Sequence, residues 1–281
     1  NGGETGHLAD MWNGTVAVFT YDDGRGWPLP ADGSGHSLVP LDSAIPGQTQ
    51  GTLDYGGNWR HSAYIGGSPG ADDPELASSV VVNEVMAHTD YSNPAHPEHD
   101  SDDWIELFNT TGTTIGLSGW YLSDDKDDLK KWAIPAVNIN ANSRISFNEV
   151  DHFHNPITSG FGLNKAGERV LLSYLPGNSQ DRVVDYVRFQ GEENFISLGR
   201  YPDGGDYWLH QSPSKDLPNN PGILDIVIDE IMYHPIDPNE EYIELYNPTA
   251  SRIYLENTAG PWRMDDEDSS GYTFDPGAYI E

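Results

Sequence analysis

Apolar residues in this chain fall in short runs that alternate with polar ones and are separated by clusters of turn formers. Within residues 78–222 the runs are Val80–Met86, Trp104–Phe108, Gly119–Leu122, Lys131–Ile134, Ser143–Phe147, Arg169–Tyr174, Arg182–Phe189 and Tyr207–His210. Between them lie Asn109–Thr114, Pro176-Gly177-Asn178 and Asp203-Gly204-Gly205. Glycine reaches positive φ freely, and Asn and Asp bond their own backbone, so such clusters reverse the chain. About seven to nine short strands with this punctuation predict an all-β sandwich with very little helix. Alternation along the strands turns Ile105, Leu107, Trp120, Leu122 and Trp132 inward.

The pattern recurs. VVVNEVMAHTDYSNPAHPEHDSDDWIELFN, from Val80 to Asn109, returns in shorter form as IVIDEIMYHPIDPNEEYIELYN, from Ile226 to Asn247. GWYLSDDKDDLKKWAIP (Gly119–Pro135) is then echoed by GPWRMDDEDSSGYTFDP (Gly260–Pro276). Earlier in the chain, NWRHSAYIGGSPG (Asn58–Gly70) resembles YWLHQSPSKDLPNNPG (Tyr207–Gly222), each an aromatic strand that enters a Pro-Gly linker. The expected organisation is the later part of one unit at 1–72, a complete unit at 78–222 and the earlier part of another at 223–281.

Composition narrows the partners. The 30 glycines and 20 prolines oppose long helices. With no cysteine, disulfides, thiolate metal sites and cysteine nucleophiles are excluded. Acidic residues number 45 against 14 basic ones, for a net charge of −31, which repels phosphate backbones and anionic lipid. Nucleic acid is therefore not an expected partner. No apolar run reaches the roughly 18 residues of a membrane span. The same acidity suits either oxygen-rich calcium sites or a self-repelling surface adapted to salt.

In order, NEV (83–85), DWIELFN (103–109), LSGWYLSD (117–124), KWAIP (131–135), FGLNKAGERVLL (161–172), VDYV (184–187) and GRYPDG (199–204) resemble the bacterial form of the lamin tail domain. The resemblance implies an immunoglobulin-like β-sandwich, present here as one complete and two partial lamin-tail-like units. It also implies a non-catalytic module used in tandem in large secreted or cell-surface bacterial proteins, sometimes beside hydrolase domains. It brings no catalytic residues with it. The stretch from Asp90 to Asp102 is an insertion that the later copy largely lacks.

Carboxylates form the first candidate site. Glu84, Asp100, Asp102, Asp103, Asp124, Asp125 and Asp127, with Asp128 beside them, are expected at neighbouring loops of one sandwich end, where calcium would find its oxygens. Their spacing is not that of an EF-hand loop, and Asp also favours turns for its own sake. Asp265, Asp266, Glu267 and Asp268 repeat the cluster. His88, His96 and His99 crowd the inserted loop, with His152 and His154 further on. Imidazole beside Glu98 and Asp100 suits zinc, but no second cluster with ligand spacing follows. The loop therefore reads as solvated and stiffened by Pro94 and Pro97. Gly66–Gly70 fits a nucleophile-elbow pattern, but Pro69 lacks the backbone N–H that an oxyanion hole needs, so it reads as a linker. Trp104, Tyr121, Tyr201 and Tyr207 could stack on sugars, although strand packing explains them more simply.

The sequence thus predicts an extracellular structural or interaction module whose partners are neighbouring domains or other surface proteins. Carbohydrate binding, or service as an accessory region of an extracellular hydrolase, is the alternative. The two partial units could also complement each other and cover their open strand edges.

Overall fold

The computed structural model describes residues 4–9, 15–24, 26–41, 52–155, 159–220, 226–233, 235, 241–249, 251–257, 260–264 and 271–281. By its contacts the chain divides into two units, Asn1–Asn220 and Pro221–Glu281. The first begins with β1 (Glu4–Ala9), β2 (Thr15–Tyr21), β3 (Leu38–Pro40) and β4 (Trp59–His61). It continues with β5 (Val80–Met86), β6 (Trp104–Asn109), β7 (Ile115–Gly116), β8 (Trp120–Ser123), β9 (Trp132–Ala133) and β10 (Asn138–Ile139). Then come β11 (Arg144–Asn148), β12 (His154–Asn155), β13 (Ser159–Gly160), β14 (Arg169–Tyr174), β15 (Arg182–Arg188), β16 (Ser197–Tyr201) and β17 (Tyr207–Gln211). Among the described residues the only helical turns are short 3₁₀ segments and one π turn at Glu149–Phe153.

Two antiparallel sheets make the sandwich, one in the order β11-β6-β5-β16-β17 and the other in the order β15-β14-β8-β9. Side-chain alternation decides what lies between them. Val82, Val85, Ile105, Leu107 and Phe147 from the first sheet meet Trp120, Leu122, Val170, Leu172 and Val187 from the second. Trp132 packs against this core from a partly exposed position. The inward assignments of Ile105, Leu107, Trp120 and Leu122 hold, since all are buried.

The outer face of the second sheet is apolar as well, which is why β14 reads as a nearly continuous apolar run rather than an alternating one. Leu171 and Val183 point outward and are covered by the fully buried Leu29 from the earlier part of the chain. Burying such a leucine contributes roughly 1.5–3 kcal/mol. Polar contacts fix the register of this cover. Val183 N–H donates to His36 Nε2 (3.0 Å), His36 Nδ1 donates to the Ser62 carbonyl (2.7 Å), and Ser34 Oγ donates to the Lys126 carbonyl (2.9 Å).

His36 therefore has to be neutral. Burial, followed by the neighbouring His61, pushes its pKa down from 6.5 to about 4. A lowered folded-state value makes the contribution complete above the unfolded value and lost as pH falls through the folded one. Between pH 6.5 and about 4 the cover is expected to lose roughly 3 kcal/mol of docking free energy. Amide exchange at Val183 read across that window should show the loss. Protection that does not change down to pH 4 would mean that the cover is held without this imidazole.

In the second unit, residues Val227–Met232 pair with Tyr242–Tyr246, and Ile253–Tyr254 with Tyr279–Ile280. This hairpin follows β5–β6 closely. Its register slips between Ile228 and Glu230, as β5 slips between Val82 and Glu84. At its end Asn247 Nδ2 donates to the Ser251 carbonyl (2.7 Å) while Asn247 Oδ1 accepts from Thr249 N–H (2.9 Å). Asn109 makes the same pair of bonds to Thr113 (2.7 Å) and Thr111 (2.9 Å). Burial is where the hairpins differ: Val85 is fully buried, whereas its counterpart Ile231 is 54% exposed.

Candidate metal centre

The carboxylates singled out from sequence occupy separate surroundings. Glu84 is fully buried on the outer face of the first sheet, where it accepts from Ser197 Oγ (2.5 Å), Ser214 N–H (2.9 Å) and Ser214 Oγ (2.9 Å). Asp124, Asp125 and Asp127 lie in the turn after β8 beside lysines: Lys131 reaches Asp124 (2.6 Å) and Asp125 (3.9 Å), and Lys126 reaches Asp127 (3.4 Å) and Asp32 (3.2 Å). Asp265, Asp266, Glu267 and Asp268 lie outside the described residues.

Asp100, Asp102 and Asp103 end the inserted loop, and these come close to something new. Asp102 accepts from Asn148 Nδ2 (2.9 Å) and Val150 N–H (3.2 Å), which ties the loop to the turn after β11. Asp103 accepts from Thr89 N–H (3.0 Å) and Thr89 Oγ1 (2.7 Å). Burial pushes Asp103 up to about 7; the adjacent Glu149 adds to the rise and the Thr89 bonds oppose it. Asp100 and Asp103 line a depression of about 510 Å³ with His88, Glu149, His154 and Lys165.

At the wall of that depression three donors converge. The single π turn after β11 buries Glu149 and Phe153 together and delivers the chain to β12, which begins at His154. Phe153 stacks on Phe161, with ring centres 5.1 Å apart, so the turn is anchored in the core. Glu149 Oε1 lies 2.5 Å from His154 Nδ1, while Oε2 accepts from Ser101 Oγ (2.6 Å) and, more distantly, from Asp103 N–H (3.4 Å). From the inserted loop His99 meets His154 edge-on, with ring centres 5.6 Å apart. Ligand atoms of His99, Glu149 and His154 all lie within 4.8 Å of one another, a convergence unmatched among the described residues. The His99 Nδ1 atom is buried and has no hydrogen-bond partner.

Spacing along the chain brings out His99 and His154 but gives no sign of Glu149, and it sets His99 beside His96. The rings of His96 and His99 meet edge-on with centres 6.5 Å apart, but His96 pairs with Glu98 within the loop (3.5 Å). The available signal was the inserted loop itself, which must rest on something. Of the aromatics considered for sugar stacking, Trp104 is buried, whereas Tyr201 and Tyr207 face each other across β16–β17 and are exposed.

Residues 74–188 match the family model of the Lamin Tail Domain, so this stretch is a lamin tail domain, a non-catalytic structural and interaction module. The two-sheet arrangement agrees with the immunoglobulin-like sandwich of that family, and β16 and β17, which complete the first sheet, lie beyond the matched residues. No curated protein and no solved structure matches the chain.

Proposed function

We propose that the lamin tail domain at 74–188 is one of several related units in a large secreted or cell-surface bacterial protein, where they space and display neighbouring domains. The observation that carries this reading is the shared hairpin geometry. The register slip at Asn83 recurs at Asp229, and the Asn109 cap recurs at Asn247, each with the same threonine two residues on. Independent surfaces have no reason to reproduce both details, whereas units of common descent do. The partners are neighbouring domains or other surface proteins, and the uncovered apolar face of the 227–246 hairpin is where complementation by a partial unit would act. Calcium at the acidic turn after β8 belongs to the same proposal, with Asp124, Asp125 and Asp127 as its ligands.

Thermal unfolding of the whole chain with calcium, magnesium or neither tests the ion. An ion bound only by the folded state must raise the midpoint, by several degrees for a saturating ligand. A rise specific to calcium supports those carboxylates as ligands, and no rise leaves them solvated beside their lysines. A second reading, carbohydrate binding, rests on the cross-strand pair Tyr201 and Tyr207, the latter 76% exposed. Retention on immobilised polysaccharide that is lost in Tyr207→Ala would favour it over the spacing role.

A further inference from the structure

We infer that His99, Glu149 and His154 bind a divalent transition-metal ion, zinc in preference to calcium, and that this ion clips the inserted loop to the sandwich. The inference stands apart from the calcium proposal, because it concerns different residues and different donor chemistry.

Donor type comes first. Two imidazole nitrogens and one carboxylate oxygen suit a borderline cation such as zinc, whereas calcium and magnesium require mostly oxygen. Around tetrahedral zinc, ligand atoms at about 2.0–2.1 Å from the metal stand roughly 3.3 Å apart. The observed donors all lie within 4.8 Å, so no pair needs to close by more than about 1.5 Å, and the Glu149–His154 pair, at 2.5 Å, opens slightly to admit the ion. The mobile partner in that closure is His99, on the loop; Glu149 and His154 are held by the π turn and by Phe153 beneath it.

The surroundings are those of a prepared site. Ser101 donates to the Glu149 oxygen that does not face His154, which orients the carboxylate and leaves its other oxygen for the metal. Gly162 points the same way. A Cβ on that residue would come within 2.7 Å of Glu149 Oε1 and 3.2 Å of His154 Nδ1. Its φ is not in the left-handed region, so the backbone does not call for glycine here; the space beside the donors does. The buried, partnerless His99 Nδ1 has no explanation in a cluster held by hydrogen bonds alone, and becomes a ligand atom once a cation sits among the three.

Metal entry would replace the His154–Glu149 hydrogen bond by two bonds to the ion, with the neutral imidazole carrying its one proton on Nε2. With three protein ligands the fourth position falls to water from the adjoining depression. The consequence for the molecule is mechanical: residues 90–101, already joined to the π turn by the Ser101–Glu149 bond and the His99–His154 ring contact, gain a metal tether to it.

The test uses the whole chain, stripped with a chelator and then titrated with zinc sulfate by calorimetry and with cobalt(II) by visible absorption. One zinc per chain and a tetrahedral cobalt spectrum are expected, both lost in His99→Ala with affinity down by about 100-fold or more. His99 is chosen because its removal leaves the Glu149–His154 contact and the fold in place. Gly162→Ala should weaken binding without removing any ligand. Absence of stoichiometric uptake, or equal uptake by His99→Ala, would overturn the inference and leave a packed, hydrogen-bonded cluster. Uptake of calcium but not zinc would do the same.

Discussion

Replacing Arg200 with methionine is expected to destabilise the first unit by about 3–5 kcal/mol, the usual effect of leaving a buried charge without its partner. Arg200 sits on β16 but points between the sheets. Its Nη2 donates to both oxygens of Asp185 on β15 (3.0 Å each), and its plane lies over Trp208 at 4.5 Å. The pair does more than neutralise itself. Ladder pairing between β5 and β16 involves only Val85 and Glu84, so the backbone of Val82 beyond it needs partners from elsewhere. Val82 N–H donates to Asp185 (2.8 Å), and the Val82 carbonyl accepts from Arg200 Nε (2.8 Å). Two side chains thus complete a strand edge and join the sheets. Methionine would keep much of the volume but strand the Asp185 carboxylate, which burial already pushes towards protonation. The penalty should therefore shrink as pH falls. Combining Arg200→Met with Asp185→Asn should recover much of the loss, because the amide oxygen still accepts from Val82 and no charge remains. Urea unfolding of the single and double variants gives the coupling. A loss below about 1 kcal/mol in the single variant would class the pair with exposed ion pairs instead.

Arg200 also marks where the sequence stops being legible. Val80–Met86 and Arg169–Tyr174 could be bounded to the residue because their apolar runs are dense, and Trp104–Phe108 missed only the terminal Asn109. β16, SLGRY, shows no strand pattern in the sequence although it lies between β5 and β17 inside the sheet. Its composition hides it. Gly199 is a poor strand former, required because Gln211 and Asn219 side chains occupy the place of its Cβ, and Arg200 looks like a surface residue until Asp185 is known to face it. The candidate site fails to show for a similar reason. His99 and Glu149 are brought together by the fold rather than by spacing, and a local scan for ligands sees only His96 and His99. Periodicity reports faces of one element; it does not report which loops meet.

The stability of Glu106→Gln relative to the unaltered chain is expected to rise with pH, by about 3 kcal/mol between pH 4.5 and about 7. Glu106 is fully buried on the outer face of the first sheet, under the segment that follows β17. Burial pushes its pKa up to about 7. Asn83 (2.9 Å to Oε1) and Asp216 N–H (2.7 Å to Oε2) pull it down, Glu84 pushes it up, and Arg144 lowers it from 3.5 Å. A raised folded-state value means that the folded chain holds its proton longer than the unfolded one. The favourable contribution is then complete below 4.5 and lost as pH rises through about 7. Glutamine carries no charge to bury, so it escapes that loss. It also places an amide N–H₂ against one of the two donors, which adds a constant cost at every pH. The slope of the difference, not its absolute value, therefore isolates the titration. His36 acts in the opposite sense in nearly the same window, so the unaltered chain can look insensitive to pH while both groups are strongly perturbed. Amide exchange at Ile105 and Leu107, measured in both proteins from pH 4.5 to 7.5, separates the two. A pH-independent difference would show that Glu106 is charged throughout and that its two donors, Asn83 and the Asp216 N–H, rather than a proton, meet the cost of its burial.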